Sequence, residues 1–102
     1  MARSVRVWGK FVIVSRPASG GPYTCPCCGY VTLSTRGHFE ICAVCFWEDD
    51  GQDDHDADEV YGGPNGALSL TEARRNFAEL GACDERCQQF VREPSDSERP
   101  TQ

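Results

Sequence analysis

Four cysteines fall in two matched pairs, Cys25 with Cys28 and Cys42 with Cys45, each a Cys-x-x-Cys step, with thirteen residues between the pairs. A thiolate is a strong ligand for a soft or borderline divalent ion. Two such pairs at this distance can set four sulfurs at the corners of a tetrahedron, the arrangement of a structural zinc site with one Zn2+ per chain. A four-sulfur site is closed. It leaves no position for water or substrate, so its metal holds the fold and does not perform chemistry. Pro26 stiffens the turn after the first ligand, and Gly29 can take positive φ, which lets backbone amides turn back toward the sulfurs. The competing readings are a redox pair of dithiols and ordinary buried thiols.

The chain has seven cysteines, an odd number that excludes a complete disulfide framework. The first twenty residues carry Arg3, Arg6, Lys10 and Arg16, and their one apolar run, Phe11 to Val14, is too short for a secretory signal. No stretch approaches the roughly 20 apolar residues of a membrane span. A reducing cytoplasm is the expected compartment, where clustered thiols mean metal and not disulfide.

Three other groups of residues could carry chemistry. Glu48 to Glu59 holds eight acidic residues in twelve positions, half of the chain's total. Three uses compete for this loop, whose candidate residues are Trp47, Glu48, Asp49, Asp50, Asp53 and Asp54. It is a solvated connection, a second-cation or hydrogen-bonding loop, or a docking surface for a basic protein partner. Its spacing misses the calcium-loop pattern, because Gly51 is misplaced and no closing glutamate follows. Cys27 lies between two ligands and should point away from the metal; it is either a small residue in a tight turn or a redox-active thiol and alternative ligand. Cys83 and Cys87, four apart, read as buried thiols. His38 and His55 read as surface histidines with no nucleophile to serve.

The elements that must position these groups follow from pattern. Tyr30 to Leu33 and His38 to Ile41 read as strands about a turn at Ser34 to Gly37, a hairpin joining the two cysteine knuckles. Phe46-Trp47 reads as core, with the indole N–H partnered, or else as a surface anchor. Gly62 to Gly66 is a multi-turn loop. Ser69 and Glu72 fit a capping box for a helix to about Leu80, whose stripe of Leu70, Ala73, Phe77 and Leu80 should cover Phe39 and Ile41. Gly81 suits the helix end. Asp84 could cap a second short helix carrying Cys83, Cys87, Phe90 and Val91 on one side. The expected organisation is a basic N-terminal extension at 1–22, one small α+β zinc-ribbon-like domain at 23–93, and a disordered tail at 94–102. A domain of about seventy residues is short of core, and a metal is the natural staple.

The joint pattern resembles the bacterial cysteine-rich CPCC family. The similarity runs through Tyr23-Thr24-Cys25-Pro26-Cys27-Cys28-Gly29-Tyr30, then Glu40-Ile41-Cys42 and Cys45-Phe46-Trp47-Glu48-Asp49-Asp50-Gly51-Gln52-Asp53-Asp54. It continues through Gly62-Gly63-Pro64-Asn65, Ser69-Leu70, Glu72-Ala73-Arg74, Asn76-Phe77 and Gly81-Ala82. The resemblance implies a zinc binder and carries no activity with it.

Charge narrows the function classes. The formal charge is −6, and four thiolates around a dication would take it two units lower. A nucleic-acid-binding ribbon needs a basic face, which only the first 24 residues could supply. A metal-dependent hydrolase would need a second cation in the acidic loop. The favoured reading is a protein-interaction module with a structural zinc site and the acidic loop as its binding face, an antagonist of a basic partner being one version of it.

Overall fold

The computed structural model describes residues 22–100. The basic N-terminal extension expected at residues 1–22 lies outside the described residues, apart from Pro22. Two short strands, β1 (Tyr23–Thr24) and β2 (Val31–Leu33), form an antiparallel pair. Both are built from aromatic and β-branched residues, which fit a pleated surface, with Leu33 closing the second into the core. The turn between them is the first cysteine knuckle. The Cys25 N–H donates to the Tyr30 carbonyl at 2.8 Å and the Gly29 N–H to the Cys25 carbonyl at 2.9 Å. Gly29 takes φ of 84°, the left-handed conformation foreseen for it.

The expected hairpin between the knuckles is therefore corrected. His38 to Ile41 is not a strand, and the paired strands lie on either side of the first knuckle. Two local features break the extension. Phe39 adopts φ of 65°, and the Glu40 carboxylate reaches back to accept from the Ser34 and Thr35 amides at 2.8 and 3.1 Å, folding the segment into a bend. The second knuckle closes a ladder of its own, with a single bridge between Ile41 and Glu48. The Cys42 N–H donates to Trp47 O at 3.0 Å, and the Phe46 N–H to Cys42 O at 2.8 Å.

The helix α1 (Leu70–Leu80) starts where expected: Ser69 Oγ accepts from the Glu72 amide at 3.1 Å, and Gly81 ends it in the left-handed conformation. Leu70 and Ala73 are fully buried, while Leu80 is exposed, so the stripe packs at its N-terminal end. It does not cover Phe39 and Ile41, which remain 53% and 45% exposed. Instead Phe77 meets Tyr30 edge to face, and Arg74 Nε donates to the Pro26 carbonyl at 2.8 Å, tying the helix to the first knuckle. Glu85–Phe90 forms a 3-10 helix that buries Cys87. Asp84 precedes it without capping it and pairs with Arg86.

The tail is a second correction. Asp96–Glu98 forms a 3-10 turn with a reciprocal cap between Ser95 and Glu98, and Glu98 pairs with Arg92 at 2.7 Å. Disorder was expected from the run of small polar residues. That reading missed the capping signature Ser95-x-x-Glu98 and its arginine partner. The core gathers Leu33, Val44, Trp47, Leu70 and Ala73 around six of the seven cysteines.

Candidate metal centre

Each knuckle repeats one backbone design. Counting from its first cysteine, the amide donates to the carbonyl five residues on, and the amide four residues on donates back. The residue four on must take positive φ: Gly29 in one knuckle and, against ordinary preference, Phe46 in the other, at 70°. Phe46 is held there by stacking on Phe90, with ring centroids 5.0 Å apart.

The two knuckles face one another and bring four sulfurs together. The Sγ atoms of Cys25, Cys28, Cys42 and Cys45 all lie within 4.8 Å of one another. Cys25 Sγ is 3.7 Å from Cys45 Sγ, and Cys28 Sγ is 3.7 Å from Cys42 Sγ. These separations are far too long for disulfides, and all four thiols are free. They match the edge of a metal–sulfur tetrahedron: with metal–sulfur bonds near 2.3 Å, corners sit about 3.8 Å apart. The set therefore fits a four-coordinate ion.

Crowding sets the electrostatics. Contacts with Cys25, Cys28 and Cys45, with help from Thr32, hold the Cys42 thiol far below its ordinary range. Cys25 is pushed up, first by Cys28, and Cys45 is pushed up, first by Cys25. Cys28 is lowered by Cys25, but Cys42, Cys45 and burial outweigh that and raise it. Four thiolates repel one another unless a cation sits among them.

Thr32 reaches this site because β2 is irregular. Tyr23 pairs with Leu33 and Thr24 with Val31, so Thr32 is the extra residue, and Thr32 Oγ1 lies 3.0 Å from Cys42 Sγ. A bulge re-aims a side chain in this way. The Trp47 amide lies 3.5 Å from Cys45 Sγ.

A family model described as cysteine-rich CPCC matches residues 23–98. The chain belongs to the cysteine-rich CPCC family. No curated protein and no solved structure matches it.

The middle cysteine of this CPCC segment, Cys27, stands apart from the four and is buried, as are Cys83 and Cys87. Burial, first among several causes, pushes the Cys83 thiol up, which suits an unreactive core residue.

The acidic loop is organised from within. Asp49 is completely buried and accepts from Arg36 Nε at 3.0 Å and from the Gly37 amide at 2.6 Å. Arg36 also holds Asp53 Oδ2 and the Gln52 carbonyl, both at 3.0 Å. Burial lowers Arg36, yet the charges and hydrogen bonds of Asp49 and Asp53 outweigh it and raise its pKa. Gln52, also fully buried, donates to the carbonyls of Asp56 and Glu59. Asn65 pins the glycine-rich loop to Glu48 and Asp50.

These placements take two of the candidate loop residues off any exposed face. Asp49 and Trp47 have no exposed surface. The Trp47 Nε1 atom has no hydrogen-bond partner, contrary to expectation. Among the described residues, the four cysteines are the one group of three or more ligand-type side chains that converge, so the carboxylates do not. His38 and His55 are exposed, as expected.

Sequence reasoning missed Arg36, Thr32, Asn65 and Arg74. Asn65 and Arg74 stood in the family pattern without a role, and Arg36 left a signal in its charge. It is the one basic residue between Arg16 and Arg74, facing a loop with eight carboxylates. A lone arginine in such a setting is a candidate ion-pair hub.

Proposed function

We propose that this chain is a small zinc module: one Zn2+ held by Cys25, Cys28, Cys42 and Cys45 fixes the fold, and the fold presents a protein-binding face. The convergence of four sulfurs at tetrahedral spacing carries the reading. The donor set favours zinc among abundant divalent ions, because thiolate ligands in two Cys-x-x-Cys knuckles suit a structural site with no redox chemistry. Such a site has no open position, which argues against a hydrolytic role for the metal.

The binding face is the outer side of the acidic loop. Asp58, Glu59, Val60 and Tyr61 run consecutively and are all exposed, the last two by 55% and 50%. Two carboxylates beside an aliphatic and an aromatic side chain suit a basic protein surface with an apolar anchor. Asp49 and Trp47 have no exposed surface and so are not part of this face.

The test has two arms. Metal analysis of purified protein should return one zinc per chain. Affinity capture should then yield a partner that is lost at high salt and lost with Asp58→Asn/Glu59→Gln/Tyr61→Ser, a variant that keeps its zinc. A partner retained by that variant contradicts the assigned face. A chain with no bound ion contradicts the module itself.

A further inference from the structure

The four sulfurs are not equivalent. Cys25, Cys42 and Cys45 have no exposed surface, whereas Cys28 is only partly buried. Two of the buried sulfurs also have a non-cysteine donor: the Thr32 hydroxyl at 3.0 Å from Cys42 and the Trp47 amide at 3.5 Å from Cys45. Among the described residues, no hydroxyl or amide donates to Cys28 Sγ, whose neighbours are the other three sulfurs, with Cys42 Sγ at 3.7 Å. Donors to a thiolate draw charge from it, and burial denies access to it. A metal-bound thiolate that lacks both protections keeps its nucleophilicity.

We propose that Cys28 Sγ is a modification site, the point at which soft electrophiles and hydroperoxides attack the loaded metal centre. The proposal rests on the zinc-thiolate reading above. With a haloacetamide, the Cys28 sulfur forms a bond to carbon, the carbon–halogen bond breaks, and halide leaves. The resulting thioether is neutral and a poor zinc ligand. With a hydroperoxide, the sulfur attacks the outer peroxide oxygen, the O–O bond breaks, and the departing alkoxide takes a proton to become an alcohol, leaving a sulfenic acid on Cys28.

The nearest resolving group is Cys42, whose sulfur is 3.7 Å away. Its thiolate attacks the sulfenyl sulfur, an S–S bond forms, and hydroxide leaves to be protonated to water. Two thiolates have then given two electrons to the peroxide, and two protons have been consumed. Zinc keeps its oxidation state but loses two ligands. Cys27 is a poor resolver despite its place in the chain. Adjacent α-carbons are 3.80 Å apart, inside the 4.4 Å lower limit of ordinary disulfides. Cys83 and Cys87 are buried and belong to another segment.

Of the two readings of Cys27, a small residue in a tight turn or a redox-active thiol, the proposal moves the second to Cys28. The middle cysteine of the knuckle is covered and its neighbour is not, because Cys27 turns into the core that Arg74 helps to close over the Pro26 carbonyl.

The experiment uses the full chain, with bound zinc counted first. Zinc-loaded protein is treated with substoichiometric iodoacetamide or with hydrogen peroxide, while zinc release is followed with a chromogenic chelator and products are mapped by mass spectrometry. The first carbamidomethyl group should appear on Cys28, with one zinc lost per adduct. Peroxide should give a Cys28–Cys42 disulfide. Cys28→His keeps a Cys3His ligand set, so it should hold zinc and lose the fast phase of release. First adducts on Cys27, Cys83 or Cys87, or equal release from Cys28→His and wild type, would overturn the proposal while leaving the zinc reading intact. A chain with no bound ion at the outset overturns both.

Discussion

Phe46 occupies a backbone position that its counterpart gives to glycine. Positive φ costs a residue with a Cβ about 1–2 kcal/mol relative to glycine, and Phe46 accepts that cost at 70° in return for stacking on Phe90. Two substitutions separate the terms. Phe46→Ala keeps the strain and loses the stack; Phe46→Gly loses both. The glycine variant is therefore expected to be the more stable of the two by about 1 kcal/mol, the reverse of the usual order in folded segments. Denaturant midpoints of the metal-loaded proteins would read this, and an alanine variant that outlasts the glycine variant would contradict the strain. In the first knuckle an added Cβ at Gly29 meets nothing within 4 Å, so Gly29→Ala should reveal the backbone cost alone.

At the scale of elements, the acidic loop is a clamped structure. Asp49 and Arg36 form a largely buried pair, with the carboxylate side chain wholly covered and the guanidinium side chain 20% exposed. Removing one partner of such a pair costs on the order of 3 kcal/mol, so Asp49→Asn should lower stability sharply in thermal melts. Glu59→Gln changes an exposed carboxylate and should fall within about 0.5 kcal/mol of wild type. Equal effects from the two would refute the clamp.

The far end of the loop offers a pH signature. Tyr61 donates to the Asp56 carboxylate, which raises its phenol from 10.0 to about 12 and lowers Asp56. The Tyr61 bond is fully present below pH 10 and is lost as pH rises toward about 12. The Asp56 contribution is present above its ordinary 3.8 and is lost as pH falls below that. Phenolate absorbance should show one late component near pH 12 that Tyr61→Phe removes. Its appearance near pH 10 instead would deny the bond.

Across the whole molecule, the legible parts were those written in short-range chemistry. The Cys-x-x-Cys spacing carried the sulfur cluster, Ser69 and Gly81 carried the limits of α1, and Gly29 carried its own φ. What escaped depends on partners distant in sequence. Eight carboxylates look like a solvated run until Arg36, thirteen residues before Asp49, is folded against them. The apolar alternation at His38 to Ile41 suggested a strand, but Phe39 turns to positive φ and Glu40 closes a bend. A bulge at Thr32 leaves no mark in a run of good strand formers.

These corrections leave the centre in place and make it more necessary. Paired strands are two and three residues long, α1 has eleven residues, and the core is largely sulfur and small side chains. A metal contribution of about 10–16 kcal/mol in zinc-binding peptides is comparable to or larger than the ~5–15 kcal/mol stability of a whole domain. Chelation should therefore unfold the chain in one step and release the tyrosine, helix and knuckle signals together. The most direct measurement is X-ray absorption at the zinc edge on metal-loaded protein. Four sulfurs at about 2.3 Å, reduced to three by Cys42→Ser, are the expected shell; a shell containing nitrogen or oxygen in the wild type, or one unchanged by that substitution, would contradict it.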